Sequence, residues 1–172
     1  LSYEQACERA PQITFGDYTP PKPNKLGITV YDEFPLESLI KYIDWTPFFI
    51  SWELAGKFPR ILEDEVVGEA ATALYKDAQE MLKRIVDEKL FNARGVVGLW
   101  PANRKGTDDI EVYADESRTE VLETLHQLRQ QANKPAGQPN YSLADFIAPK
   151  AGDHADGKDD YMGAFAVTSG IE

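Results

Sequence analysis

Cysteine is nearly absent from the sequence, since Cys7 is the one cysteine among 172 residues. This scarcity excludes an internal disulfide framework and a metal site built from several cysteines, and it is typical of a reducing compartment. The sequence also lacks an apolar run approaching the roughly 20 residues of a membrane span. Residues 1–12 have neither the basic start nor the apolar middle of a signal peptide. We therefore predict a cytoplasmic protein without a membrane partner.

Basic residues are also scarce. The sequence contains 18 Lys and Arg residues and 29 Asp and Glu residues, which gives a formal net charge of −11 at pH 7. A surface of this sign repels a phosphate backbone, and no run of Lys and Arg offsets it locally, so nucleic acid is not an expected partner. The remaining composition, 42% hydrophobic and 27% charged, is typical of a globular protein. We expect residues 1–172 to form a single unit with a packed core.

The sequence contains neither of the glycine-rich phosphate-binding motifs, G-x-G-x-x-G and G-x-x-x-x-G-K-[ST]. Gly95 and Gly98 are the nearest approach, and glycine within a strand accounts for them. A metal site has little support, because the sequence has no H-E-x-x-H and its acidic loop lacks the EF-hand spacing. His126 is predicted to lie on a helix beside a leucine stripe, and His154 in a solvated loop.

Catalytic groups are equally hard to find. Cys7 has no histidine near it in the sequence, so nucleophilic catalysis has no support. The acids of LEDE, residues 62–65, lie at a predicted helix start, where negative charge favours the helix dipole. A general acid/base pair is the alternative interpretation of these acids.

Hydrophobic periodicity predicts helices and strands in no strict βαβ repeat, which indicates an α+β fold with a mixed or antiparallel sheet. The predicted elements are a strand over 26–34, a short helix from 35 to 44, a long amphipathic helix over 64–89, a hairpin of strands at 94–104 and 109–115, a helix over 120–131, and a buried strand over 161–170.

The stretch YIDWTPFFISWELAGKFPRILEDE, residues 42–65, follows no steady period of two or 3.6. Thr46 and Pro47 are predicted to be the cap and first residue of a helix, so Asp44 needs another partner. Two interpretations are open. Asp44 either accepts hydrogen bonds from local backbone amides, or it binds a ligand cation with Trp45 and the neighbouring phenylalanines as walls.

Seven segments resemble the activation domain of cobalamin-dependent methionine synthase, in that domain's order and spacing, and they are distributed from residue 42 to residue 170. They are YIDWTPFF at 42–49, LAGKFPRILEDEVVGEAA at 54–71, RGVVGLWPANR at 94–104, DDIEVYADESR at 108–118, LHQLRQQ at 125–131, YSLADFIAPK at 141–150 and GAFAVTSG at 163–170. The resemblance implies that domain's α+β fold.

The resemblance also implies a function. The family's enzyme moves a methyl group from methyltetrahydrofolate to homocysteine through cobalamin. When the cobalamin has been oxidised, the activation domain docks on the cobalamin-binding module and presents S-adenosylmethionine, while flavodoxin or a flavoprotein reductase supplies an electron. Cobalamin and zinc are held by other modules of the full enzyme, so this chain alone is not expected to be active. An alternative is a non-catalytic docking or scaffold domain that caps a cobalamin module without binding S-adenosylmethionine.

In the family, the aspartate of D-W-T-P contacts S-adenosylmethionine, and here that residue is Asp44. The family's other ligand-binding motif, R-x-x-x-G-Y-P-A-C, lies downstream of residue 172, which implies that the chain is the N-terminal portion of the domain. A further expectation concerns an acidic flavodoxin, which a net charge of −11 repels. Its docking would require Lys57, Arg60, Arg104 and Lys105 to form a local patch; the alternative is that they are scattered, solvated charges.

Overall fold

The computed structural model describes residues 1–170, in which four α-helices and five strands are joined by loops and short 3₁₀ turns. In chain order the elements are α1 (Tyr3–Glu8), β1 (Gly27–Tyr31), α2 (Leu36–Leu39), α3 (Trp45–Ser51), α4 (Gly68–Asp87), β2 (Arg94–Lys105), β3 (Asp109–Tyr113), β4 (Val121–His126) and β5 (Asp160–Thr168). This mixture confirms the predicted α+β class.

The chain forms two compact units. Unit 1 contains Leu1–Thr29 and Val97–Phe165, and unit 2 contains Val30–Val96 and the segment that follows from Ala166. The strands form one sheet in the order β1-β2-β3-β4, with β5 also paired to β2.

The β2–β3 hairpin of unit 1 confirms the predicted hairpin. The two strands are antiparallel, with Ala102 opposite Val112 and Lys105 opposite Asp109. Gly106 occupies the turn with φ of 59°, a left-handed conformation that favours glycine. The buried residues on this hairpin, Ala102, Ile110 and Val112, form the core of unit 1 together with Ala144.

The predicted helix over 120–131 is wrong, because Val121–His126 is strand β4, antiparallel to β3. Val112 pairs with Glu123 and Tyr113 with Val121, so Leu122 is the extra residue of a β-bulge. Leu122 and Leu125, three residues apart, consequently line the same groove. A bulge that breaks strict alternation therefore produced apolar spacing like that of a helix.

The predicted strand over 161–170 is confirmed as β5, but its predicted burial is wrong. Phe165 is 76% exposed and Val167 71% exposed. A short apolar run indicates a strand, but it does not establish that other elements cover both faces.

A buried cluster of charges lies within unit 1. The fully buried guanidinium of Arg129 donates to Asp145 at 2.7 and 3.0 Å and to Asp108 at 2.6 Å. It also donates to the backbone oxygen of Asn140 at 2.5 Å. Burial alone would raise the pKa of Asp108, but hydrogen bonds from Tyr3 and Arg129 outweigh it and lower that pKa. The Arg129 guanidinium thus connects its own segment to Asp108, Asn140 and Asp145.

The long amphipathic helix of unit 2 is confirmed but begins at Gly68, four residues later than predicted. Asp64 instead forms a turn, where its Oδ1 accepts hydrogen bonds from the N–H groups of Val66 and Val67 at 2.9 and 3.0 Å. These backbone hydrogen bonds lower the pKa of Asp64, with that from Val67 the larger. Ala71 of α4 is fully buried against the core.

We predict that Arg129→Met destabilises the protein strongly, because it leaves the carboxylates of Asp108 and Asp145 buried without their cation. Breaking a buried ion pair from one side costs about 3–5 kcal/mol in free energy of unfolding. The measurement is urea unfolding at pH 7. Arg84→Met is the control, since Arg84 pairs with Glu88 on the surface of α4, and this change should cost less than about 1 kcal/mol. Equal losses in the two variants would contradict the prediction.

Candidate functional site

Asp44 is the N-cap of α3. Its backbone is extended, and its Oδ1 accepts a hydrogen bond from the N–H of Thr46 at 3.0 Å. The predicted cap at Thr46 is therefore wrong, because the helix already begins at Trp45 and Pro47 is its third residue. Proline is tolerated there because N–H groups of the first turn have no acceptor within the helix.

The second carboxylate oxygen of Asp44 has no hydrogen bond to any residue in the range 1–170, and the side chain is exposed. The local-amide interpretation of Asp44 thus describes one oxygen, and the other oxygen faces solvent. A carboxylate held in place by its own helix and open on one side suits a cationic group such as an ammonium.

The aromatic residues around Asp44 belong to the core of unit 2. Phe49 is fully buried, while Trp45 and Phe48 are half-buried and pack against it and its neighbours. The rings of Trp45 and Tyr75 meet edge to face with centroids 5.0 Å apart. Because Tyr75 lies on α4, these contacts hold α3 against the long helix. Core packing accounts for the aromatic residues, and their role as walls of a ligand site stays a prediction.

The irregular period of the segment beginning at residue 42 has a local cause. A 3₁₀ turn, Ile40–Tyr42, ends just before Asp44, and α3 starts just after it. The chain then turns back, where the Oγ1 of Thr46 accepts a hydrogen bond from the N–H of Phe58 at 3.3 Å. A 3₁₀ turn, the short helix α3 and a return loop thus follow one another, so no single period runs through this segment.

The other sequence candidates have structural positions. A Cβ on Gly98 would lie 1.9 Å from the Trp100 ring, so glycine is required there by packing. His126 lies on a strand and not on the predicted helix, and its Nδ1 is 2.7 Å from Asp109. Cys7 is half-buried, with its Sγ 3.9 Å from the Asp108 carboxylate.

The four basic candidates are divided between the units. Lys57 and Arg60 lie in unit 2, whereas Arg104 and Lys105 lie in unit 1, where Lys105 forms an ion pair with Glu111. Their assembly into one patch stays a prediction. The sequence reasoning did not find Arg118 and Lys150, which line the same cleft as Arg104 and Lys105.

Two further findings concern the described part of the chain. Within residues 1–170, no group of three or more His, Cys, Asp or Glu side chains is placed to hold a metal ion. Among the helices of that range, none combines the length and apolar character needed to cross a membrane.

Comparison with known proteins identifies the class of this α+β fold. The family model described as "Vitamin B12 dependent methionine synthase, activation domain" matches residues 35–172. A solved structure, the crystal structure of the MetH reactivation domain bound to AdoHcy, is 52% identical, with a TM-score of 0.81. The match covers 99% of this chain and 50% of that chain, so this chain spans half the length of the relative. The chain belongs to the family of vitamin B12-dependent methionine synthase activation domains, which confirms the predicted resemblance.

The capping role of Asp44 predicts an effect on stability that depends on the acceptor oxygen of its side chain and not on its negative charge. Asp44→Ala removes the acceptor for the Thr46 N–H and should lower the free energy of unfolding by about 1 kcal/mol. Asp44→Asn keeps an acceptor oxygen and should be nearly neutral, because asparagine caps helices about as well as aspartate. Urea unfolding of both variants tests this, and an equal loss in both would show that capping is not the structural role.

Proposed function

We propose that this chain is the N-terminal portion of the activation domain of a cobalamin-dependent methionine synthase, and that it contributes to binding S-adenosylmethionine for the reductive methylation of cob(II)alamin. The observation that carries the proposal is the family match, joined to a relative at 52% identity whose crystal structure contains AdoHcy. AdoHcy is the product left when S-adenosylmethionine gives up its methyl group. A site that holds one of these molecules has the shape for the other.

Asp44 is the residue of this chain that we assign to the ligand. Its Oδ1 stays on the Thr46 N–H, and its open oxygen accepts a charge-assisted hydrogen bond from the ligand's ammonium group. Because the helix cap already fixes the carboxylate, little side-chain entropy is lost when the ligand binds. The contribution of Asp44 is to position the ligand, and it neither gives nor takes a proton.

The partners we propose come from the family. Cobalamin, held by another module of the same enzyme, would supply the nucleophile for the methyl group, and flavodoxin or a flavoprotein reductase would supply the electron. We assign zinc to a further module of that enzyme. We also propose that the enzyme is cytoplasmic. The role of this chain in that reaction is to hold its substrate in line, since orientation is what a methyl transfer between two bound partners requires.

An apolar groove in unit 1 supports the proposal that this chain is one portion of a longer domain. The groove has a volume of about 380 Å³ and is lined by Ile28, Trp100, Val112, Leu122, Glu123, Leu125, Met162 and Ala164. Ile28 is 63% exposed and Leu122 53% exposed. The solved relative has twice the length that this chain matches. We propose that the part of the domain following residue 172 covers this groove.

The ligand role of Asp44 predicts a loss of affinity that its capping role does not. In the complete activation domain, Asp44→Asn should weaken S-adenosylmethionine binding by about tenfold or more, equivalent to 1.4 kcal/mol. Calorimetry measures the affinity. The matched control is Asp64→Asn, which also neutralises an exposed aspartate that accepts backbone hydrogen bonds in unit 2, and it should leave the affinity unchanged.

Two outcomes of this calorimetry would count against the proposal. Unchanged affinity in Asp44→Asn would show that Asp44 is only a cap. If the complete wild-type domain binds no S-adenosylmethionine, the docking-scaffold alternative replaces the proposed function.

The covered groove predicts that Leu122 is a core residue of the complete protein. Leu122→Ala should then lower the free energy of unfolding by about 2–5 kcal/mol, the usual cost of a buried leucine. Leu128→Ala is the control, because Leu128 is 92% exposed and lies outside the groove, and it should be nearly neutral. Urea unfolding of the full-length protein makes the comparison. A neutral Leu122→Ala would mean that the groove stays open to solvent.

A further inference from the structure

Thr46, the second residue of α3, makes two hydrogen bonds that connect different parts of unit 2. Its backbone N–H donates to Asp44 Oδ1 at 3.0 Å. Its side-chain Oγ1 accepts a hydrogen bond from the N–H of Phe58 at 3.3 Å. Phe58 lies in the return loop, residues 52–59, which joins α3 to the 3₁₀ turn Arg60–Glu63. The half-buried Thr46 therefore links the Asp44 carboxylate to this loop.

Phe58 is held in place by the aromatic core of unit 2. Its ring stacks on that of Phe49, with centroids 6.2 Å apart and an interplanar angle of 12°. The Phe58 ring also lies 5.2 Å from the ring of Tyr75 on α4, and Phe49 is fully buried. Aromatic pairs at these distances are favourable contacts. The N–H of Phe58 is consequently a donor with a fixed position.

The return loop itself packs closely against the core. A Cβ on Gly56 would lie 2.8 Å from the side chain of Ile61, which is 2% exposed. The N–H of Ile61 donates to the backbone oxygen of Lys57 at 3.0 Å, so the loop and the following turn are joined. The loop is thus a rigid support for the hydroxyl of Thr46.

Helix α3 needs such a support because it is short. It contains seven residues, and helices of fewer than about 12 residues are marginal without tertiary contacts. The N–H groups of its first turn have no acceptor within the helix. If this turn frayed, the Thr46 N–H would move, and the carboxylate of Asp44 would lose its fixed position. The hydrogen bond from Phe58 to the Thr46 hydroxyl opposes that movement.

We propose that Thr46 is a positioning residue for S-adenosylmethionine, because its hydroxyl, by accepting the Phe58 N–H, keeps the Asp44 carboxylate in place for the ligand's ammonium group. This inference rests on the ligand role proposed for Asp44. A carboxylate that is ordered before the ligand arrives costs less entropy on binding. Without the Thr46 hydroxyl, ligand binding must also order the first turn of α3, and the affinity falls.

The first test is calorimetric titration of the full-length protein with S-adenosylmethionine. Thr46→Val keeps the shape of the side chain but removes the acceptor, and it should weaken binding by about fivefold or more, as expected for coupled members of one network. Thr46→Ser keeps the hydroxyl and should bind like the wild type. The matched control is Thr72→Val, since the Thr72 hydroxyl donates to the backbone oxygen of Leu62 at 3.3 Å, also in unit 2. This change should leave the affinity unchanged.

A double-mutant cycle separates positioning from direct contact with the ligand. Asp44→Asn keeps the helix cap but lacks the charge that attracts the ammonium group. If Thr46 acts through Asp44, Thr46→Val should cause little further loss of affinity in the Asp44→Asn background. An equal loss in both backgrounds would show that the Thr46 hydroxyl acts on the ligand independently of Asp44, and the proposal would fail.

Other outcomes also decide the matter. Equal weakening by Thr46→Val and Thr72→Val would indicate a general effect of lost helix packing and overturn the proposal. If Asp44→Asn weakens binding but Thr46→Val does not, only the positioning role is wrong. If the wild type does not bind S-adenosylmethionine, the proposed function fails together with it. Should Thr46→Val not fold, Thr46→Ala removes the same acceptor with a smaller side chain, and we expect the same loss of affinity.

Discussion

The hydrogen bond from the Thr46 N–H to Asp44 is the constraint on which the proposed ligand site depends. It starts α3, and it fixes a carboxylate with one oxygen bound and the other open. The same threonine receives the Phe58 N–H through its side chain, so the return loop is tied to the helix start. Core aromatics then hold α3 against α4. The position of the one ligand-binding residue we assign therefore follows from local backbone chemistry and core packing together.

Much of the fold was predictable from the sequence because its signals are local. The periodicity of α4 and the β2–β3 pair with its glycine turn are patterns that neighbouring residues set by themselves. The family was also predictable, since seven segments matched in order and spacing, and no single segment would have been specific. Its match over residues 35–172 shows that distributed similarity was a stronger signal than any catalytic motif.

The parts that were not predictable depend on contacts between distant residues. Leu122 and Leu125 share a groove only because of a bulge opposite β3, which no count of apolar residues reveals. Nothing in the sequence around Arg129 distinguishes it from the other charged residues, yet tertiary contacts bury it between two aspartates. At Asp44 the error was smaller: proline was assigned to the first helical position, although any position of the first turn accepts it. A shift of two residues there hid the cap.

We propose that the carboxylate of Asp44 serves both the helix and the ligand. The most direct measurement is a crystal structure of the complete domain with AdoHcy, read at Asp44. We predict that Oδ1 still accepts the hydrogen bond from the Thr46 N–H and that Oδ2 lies about 3 Å from the ligand's amino nitrogen. A ligand whose amino group is held by other residues, with Oδ2 still in solvent, would contradict it.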